Sequence, residues 1–491
     1  MINYKKLLVF CILVAVVALL VYKHGIISES FEMVPFRPQI EGPYGLGFQS
    51  KYEPVPLFVN FIPPLLGSDF KLNNFIRRTK MESNTPTITN GDKQSLISPT
   101  AGQISLGPAR NPLFLVPDIG ASRILVKWAK PTTLAAKKVD AYGSFQETTK
   151  WSCKDTEPEW QLLWFPKDKK GLSRYCWQDL VKTNVSKDSI ANGEFVSTMP
   201  DMMGSMDFET DIYNTFIEAM YALSYVQGSS LFGASYDHRL IADPKEFTAW
   251  SKTLKLLIEN SVQFNKRRAI LTGHGLGALL TNKFLVGSTQ EWKDTYIAGF
   301  ISLNGTFGPV PKALRVLMSG EILPNKEDQM LIRNGSLNAS GLHLLLSDSG
   351  SENVVHYNQE VYTLQDIPKL IDIISEELFD PMLGDTYSIA KSFNADAAKA
   401  PNVPVNIFIG TTMDTEVEYY YSDLIHDPVN ITYTDGDGTV PITTLVRPKE
   451  WSKDQSQVVT FKSYPRAEHS KILKLYEPMV DFMNLVKVYN E

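Results

Sequence analysis

The sequence has little cysteine, no excess of positive charge and no internal repeat. Three cysteines occur in 491 residues, and Cys11 lies inside an apolar run, so a single pair remains, Cys153 and Cys176. In an oxidising compartment that pair predicts one disulfide closing the loop between them, worth about 3 kcal/mol by the chain-entropy model. Lys and Arg total 48 against 54 Asp and Glu, a net charge of -6. That balance gives no basic footprint for nucleic acid. Wholesale disorder is excluded by the 43% hydrophobic and 11% aromatic content, which can fill a sizeable core. The length suits one large α/β domain with insertions, or two domains.

The N-terminus shows another absence. An uninterrupted apolar run, Leu7–Tyr22, has no A-x-A-like cleavage site after it; the chain continues KHGIISES. The run is slightly short of the ~17–25 residues of a membrane span. It is slightly long for the ~7–15 of a signal-peptide core. Lys5 and Lys6 precede it, the positive-inside signal for a cytoplasmic N-terminus. We read residues 1–6 as a cytoplasmic tail and 7–22 as an uncleaved type II signal-anchor, with secretion after cleavage as the alternative. Either reading places residues 23–491 in the lumen of the endoplasmic reticulum or secretory pathway. N-glycosylation sequons at Asn184, Asn304, Asn334, Asn338 and Asn430 agree with that compartment.

Residues 23–107 are rich in Pro, Ser, Thr and Asn and read as a stalk and linker. From Asn111 the pattern changes. Buried-strand candidates are Asn111–Asp118, Ser230–Asp237, Ala269–Gly273, Tyr296–Asn304, Val403–Gly410 and Val458–Tyr464. Helical patterns lie between them. In the clearest, Asp243 suits the N-cap and Pro244 the first turn, while Phe247, Trp250, Leu254, Leu257 and Ile258 recur at helical spacing. Apolar strands alternating with amphipathic helices predict a mostly parallel sheet covered on both faces, over residues 108–491. Insertions at about 146–210 and 321–395 have the size that builds caps or lids over a site.

One hydroxyl is missing from the most telling stretch. RAILTGHGLGALL (Arg268–Leu280) has the strand, glycine turn and helix of a nucleophile elbow, G-x-S-x-G, with Gly275 at the serine position. In α/β-hydrolases the acid and then the histidine follow on loops after later strands. Here YTDGDGTVP (Tyr433–Pro441) and His469 in SYPRAEHSKIL hold that order. DGDG fails as an EF-hand, because the twelfth position from Asp435 is Val446 rather than Glu. Taken alone it reads equally as a plain turn, and His469 as a loop histidine. His274 reads as structural support beneath the elbow.

Further segments carry a resemblance. NPLFLVPDIGAS is similar to an L-V-P-G-x-x-G-S oxyanion loop, with Asp118 in place of the glycine that follows the proline. WSC…CW spans Cys153 to Trp177, SYDHRL is similar to Y-D-W-R with His238 for tryptophan, and EWKDTYIAGFISLNGTFG and DGDGTV follow in order. Together these motifs resemble the lecithin:cholesterol acyltransferase family, from about Asn111 to the C-terminus. The resemblance implies an α/β-hydrolase fold and O-acyl transfer or acyl-ester hydrolysis on phospholipids. Residue by residue, it implies Asp437 as acid, His469 as base and the backbone N–H groups of Ile119 and Leu276 as oxyanion donors. It also implies a lid loop closed by Cys153–Cys176, with Trp164 and Trp177 packing the lid or touching lipid. A phospholipid or other acyl lipid and a membrane are the implied partners, with no cofactor, no metal and no nucleic acid. Asp118 replaces the family's glycine, and its carboxylate would repel a developing oxyanion if it pointed inward.

Glycine at the elbow leaves the fold intact, since it removes a strain of about 1–3 kcal/mol carried by other residues there. It removes the oxygen on which an acyl-enzyme forms, a loss of roughly 10⁶ in turnover in a comparable hydrolase. The expectation is a catalytically impaired, lipid-binding or regulatory member. The rivals are an enzyme with a displaced nucleophile, Ser122 or Thr272, and a protein-interaction scaffold.

Overall fold

Near-continuous apolar runs build the centre of the fold. In the computed structural model six of them become strands: β1 (Leu113–Val116), β2 (Leu231–Gly233), β3 (Ala269–His274), β4 (Ile297–Leu303), β5 (Val405–Thr411) and β6 (Val459–Pro465). They pair in parallel in the order β6-β5-β4-β3-β1-β2. Every residue of β1, β3, β4 and β5 is buried, as expected of a parallel sheet covered on both sides. The structure describes residues 109–129, 138–139, 145–146, 153, 156–163, 172–200, 203–206, 211–320, 326–346, 350–396 and 399–491. All belong to one unit, Pro54–Glu491. The anchor reading of 7–22, the stalk and Trp164 lie outside the described residues. Among the described residues no helix is long and apolar enough to cross a membrane.

Two core layers flank the sheet, and alternate strand residues feed each. Phe114 and Val116 join one, with Trp250, Leu254 and Ile258 of the helix Pro244–Asn265 (α1) and Leu279 and Phe284 of the helix Leu276–Val286 (α2). Leu113 and Leu115 join the other, with Met479, Phe482 and Val486 of the C-terminal helix Tyr476–Asn490 (α3). This doubly covered parallel sheet, with its elbow, acid and histidine loops in chain order, is the α/β-hydrolase fold.

The insertions and the segments beside them carry structure that the alternation did not reveal. Ile124–Ala129 pairs with Thr156–Leu162 and Val196–Pro200 in a three-stranded sheet. Asn353–Tyr357, Glu360–Thr363, Thr415–Tyr420 and Asn430–Thr434 form a four-stranded one. These strands are short and carry polar residues, so they lack the apolar run that marks the inner strands of the central sheet. Cys153 and Cys176 are disulfide-bonded, with Cα atoms 4.6 Å apart. Trp177 is only 6% exposed and packs with Leu180, Val181, Ile124 and Trp128. It therefore fills the insertion's own core and is not presented to lipid. Two sequons are likewise corrected by burial. Asn304 is fully buried, and Asn338 is buried with its amide bonded to Asp380, whereas Asn184 and Asn430 are exposed.

Asp243 ties an insertion to the frame. Its Oδ1 caps α1 by accepting from the amides of Lys245 and Glu246. Its Oδ2 accepts from the Ile190 amide at 2.8 Å and the Ser189 hydroxyl at 2.9 Å. Asp243→Ala removes both roles at once, and we expect a loss of about 2 kcal/mol, the upper end for an N-cap. Urea unfolding of the full chain checks this; an unchanged midpoint would mean the cap and the tether contribute nothing.

Candidate active site

Parallel register brings three loops to one edge of the sheet. Val116 pairs with Gly273, so β1 and β3 end side by side, with Asp118 following one and Gly275 the other. Gly275 takes φ 52° and ψ -121° between β3 and α2. Its N–H donates to the Leu303 carbonyl at 3.0 Å, and its carbonyl accepts from the Ala278 amide at 3.1 Å. Positive φ of this kind costs a residue with a Cβ about 1–3 kcal/mol. A Cβ on Gly277 would lie 2.3 Å from the carbonyl oxygens of Val116 and Pro117, so that glycine lets α2 sit against β1.

Asp118 opens a tight turn closed by the Ala121 amide donating to the Asp118 carbonyl at 3.1 Å. Gly120 takes φ 71° within that turn. The Asp118 side chain points inward. Its Oδ1 accepts from the Leu276 amide at 2.8 Å, and its Oδ2 lies 2.9 Å from Nε2 of His469. A Cβ built on Gly275 would fall 2.0 Å from Asp118 Oδ1 and 2.3 Å from its Cγ. The carboxylate therefore occupies the space of the missing elbow side chain and takes the N–H of Leu276, the expected oxyanion donor. Ile119, the other expected donor, is half-buried on the same turn.

Asp437 and His469 meet on the neighbouring loops. Asp437 is fully buried. Its Oδ1 accepts from the amides of Thr439 at 2.9 Å and Val440 at 2.7 Å, and its Oδ2 lies 2.6 Å from His469 Nδ1. Asp435 instead serves the turn, accepting from the Thr412 amide at 2.5 Å. Both imidazole nitrogens thus face carboxylate oxygens, which only accept, so both carry protons and the ring is an imidazolium. Burial alone would depress the His469 pKa, but the charges of Asp437 and Asp118 and their hydrogen bonds overcome it and hold it at about 10. Burial would likewise raise Asp118, yet the charge and hydrogen bond of His469, with the Leu276 amide, hold it down at about 2.

Behind this ion pair runs a second chain of hydrogen bonds. The Asp118 amide donates to the Tyr213 hydroxyl at 2.8 Å, which lies 2.9 Å from His274 Nδ1. His274 Nε2 lies 2.9 Å from the His469 carbonyl and must donate to it. That fixes the tautomer: Nδ1 accepts from Tyr213, and His274 is neutral. Burial, the largest influence, depresses its pKa in the same sense. Donor atoms of Asp118, His274 and His469 lie within 4.8 Å of one another. All four ring nitrogens are hydrogen-bonded, so protons link the cluster.

Neither hydroxyl suggested by the sequence reaches this centre. The Ser122 hydroxyl accepts from the Tyr236 amide at 3.0 Å, and Thr272 is fully buried within β3. The oxygen beside the imidazole belongs to Asp118. Its side chain could not be aimed from sequence alone; the signal was the pairing of two departures, Asp118 and Gly275, in neighbouring loops.

The lecithin:cholesterol acyltransferase family model matches residues 201–339. The lysosomal phospholipase A and acyltransferase of Homo sapiens is 28% identical over 393 residues, covering 74% of this chain and 87% of that protein. The Canis lupus familiaris protein of that description is 29% identical over 290 residues, covering 57% and 67%. The phosphatidylcholine-sterol acyltransferase of Mus musculus is 26% identical over 392 residues, covering 75% and 84%. Among solved structures, a chain of the Tle4-Tli4 complex aligns with a TM-score of 0.45 at 10% identity, covering 78% of this chain and 99% of that one.

The pKa shifts set a pH window. His469 is raised above its unfolded value of 6.5, so its contribution to stability is full below about 6.5 and is lost as pH rises towards about 10. Asp118 is depressed below 3.8, so its contribution is full above about 3.8 and is lost as pH falls towards about 2. Nitrogen-15 NMR of the ring should show both His469 nitrogens protonated at pH 8, and Asp118→Asn should lower the titration midpoint. A wild-type midpoint near 6.5 would contradict the ion pair.

Proposed function

Because this chain belongs to the lecithin:cholesterol acyltransferase family, we propose that it acts in lipid metabolism as a lipid-binding or regulatory member that forms no acyl-enzyme. The observation carrying this reading is the Asp118 carboxylate, seated where the elbow side chain would stand and bonded to both the Leu276 amide and His469. In the family's reaction the base must be neutral to take a proton, and the hole must be open to a developing oxyanion. Here the imidazole is already protonated, and an anion already fills the amide. In this reading Asp437 and His469 are the relics of an acid–base pair, now holding a fixed charge.

Asp118 itself is a poor replacement for serine at an acyl carbon. Attack on an ester would give a tetrahedral adduct carrying a carboxylate and an alkoxide as the two groups able to leave. With the carboxyl pKa at about 2 and an alkoxide far more basic, as poor a leaving group as hydroxide, the adduct expels Asp118 and reverts to the ester. The proposed setting is the secretory lumen, with the apolar run Leu7–Tyr22 as a type II anchor at a membrane. The Cys153–Cys176 disulfide supports an oxidising compartment, as do relatives described as lysosomal.

The two departures are one unit, which dictates the experiment. Gly275→Ser alone forces a Cβ into Asp118 and leaves the amide occupied, so phospholipid hydrolysis and acyl transfer by the full chain should stay at the wild-type level. Asp118→Gly with Gly275→Ser should gain activity of about a thousandfold or more over wild type and label with a fluorophosphonate. Wild-type acyl transfer as fast as the double variant's would defeat the proposal.

A further inference from the structure

The four-stranded sheet has two edges, and they are finished differently. Glu360–Thr363 forms one of them. There Glu360 pairs with Lys369 at 3.0 Å, both exposed, and the helix Ile367–Glu377 that carries the lysine packs beside the strand. Charge on an edge keeps a second strand from adding to it. Asn430–Thr434 forms the other edge; among the described residues it has a strand, Thr415–Tyr420, on one side only. Val429–Thr434 reads VNITYT, with no charge, no Pro and no Gly, and five of its six residues are β-branched or aromatic. Val429 is 69% exposed and Tyr433 51%. A bare strand of that composition is a template for pairing with another chain. Asp427 and Pro428 before it and Asp435 after it are gatekeepers at the ends, and no charge stands between them.

The sequon Asn430-Ile431-Thr432 lies within that stretch. Asn430 and Thr432 are two apart on a strand, so they share a face, and both are exposed. Of the five sequons only Asn184 and Asn430 have exposed asparagines. Directly opposite Asn430 stands half-buried Tyr420. One face of its ring is covered by His356, 4.2 Å away and nearly parallel at 10°. His356 lies on the strand beyond Tyr420, away from Asn430, so the ring's other face turns towards Asn430. A sugar on Asn430 has that face to pack against, within the reach of a cross-strand pair. We propose that Asn430 is N-glycosylated and that its glycan closes the bare edge of this sheet against strand addition by a second copy of the chain. This rests on the lumenal placement proposed above and adds to it a site and a role.

The donor is a lipid-linked oligosaccharide pyrophosphate, supplied in that compartment together with the transferase. The Asn430 side-chain nitrogen bonds to the first sugar's anomeric carbon as that carbon's bond to the pyrophosphate oxygen breaks. The lipid pyrophosphate leaves with the electron pair, and the nitrogen gives up one proton. The product is bulky and strongly hydrated, so an incoming strand meets solvated sugar where it would need backbone N–H and C=O groups.

The full chain, produced in insect cells from its own N-terminus, would be treated with peptide N-glycosidase in ¹⁸O-water and digested for mass spectrometry. The enzyme leaves a labelled Asp wherever a glycan stood. Label at Asn184 and Asn430, with none at buried Asn304 or Asn338, is the expected result. Label at Asn184 without Asn430 would overturn this proposal and leave the lumenal placement standing; label at neither would overturn both. In sedimentation velocity in non-ionic detergent, Asn430→Gln should shift to faster species that grow with concentration. Wild type and Asn184→Gln should each hold one sedimentation coefficient. Hydrogen exchange in the Asn430→Gln species should slow at Val429–Thr434. Asn430→Lys should hold the single coefficient without a glycan, because charge blocks an edge by another means. Thermal unfolding checks that each variant folds. Asn430→Gln sedimenting as wild type at every concentration, or assembling with no protection gained at Val429–Thr434, would overturn the edge-closing role.

Discussion

One carboxylate organises the head of this sheet. Asp118 reaches from the end of β1 across to the elbow, accepts the amide that opens α2, and meets an imidazole already charged by Asp437. Three charges in the order minus, plus, minus are held in a largely buried site, where unpaired charge would be costly. Each of the two carboxylates is further satisfied by backbone amides. Paired and hydrogen-bonded in this way, the arrangement has the geometry that repays desolvation.

The absence of a side chain at Gly275 follows from that interaction. A Cβ there would lie 2.0 Å from Asp118 Oδ1, so the carboxylate and an elbow serine exclude each other. The positive φ of the turn adds a second reason for glycine, because a Cβ would be strained in it whatever the space. The chain therefore keeps the backbone of a nucleophile elbow while a carboxylate from the neighbouring loop fills the space of its side chain. The same exchange alters the histidine. Between two carboxylates it is an acid at neutral pH, where a base between one carboxylate and a hydroxyl would be neutral.

Much of this was legible in the sequence. The inner strands of the central sheet announce themselves as near-continuous apolar runs, because a parallel strand covered on both faces has no polar side to show, whereas the edge strand β6 is largely exposed and carries polar residues. Asp243 and Pro244 mark the start of α1 by the chemistry of an unsatisfied helix end. Gly275, Asp437 and His469 could be singled out because they sit after strands, in the order the fold requires. Other parts were hidden for physical reasons. The two smaller sheets lie at the surface, and their strands, such as Thr415–Tyr420 (TEVEYY), alternate weakly and carry charge. The burial of Asn338 and Trp177 depends on contacts with distant segments, Asp380 and Ile124 among them. The direction of the Asp118 side chain is a rotamer, and sequence registers only that a carboxylate is nearby.

The central claim concerns where two oxygen atoms lie, and a crystal structure of the full chain at a resolution that separates them tests it most directly. The account predicts Asp118 Oδ1 within hydrogen-bond reach of the Leu276 amide and Oδ2 within reach of His469 Nε2, with no room for a solvent molecule above Gly275. An Asp118 side chain turned out to solvent, with an ordered water in its place between the amide and the imidazole, would contradict it.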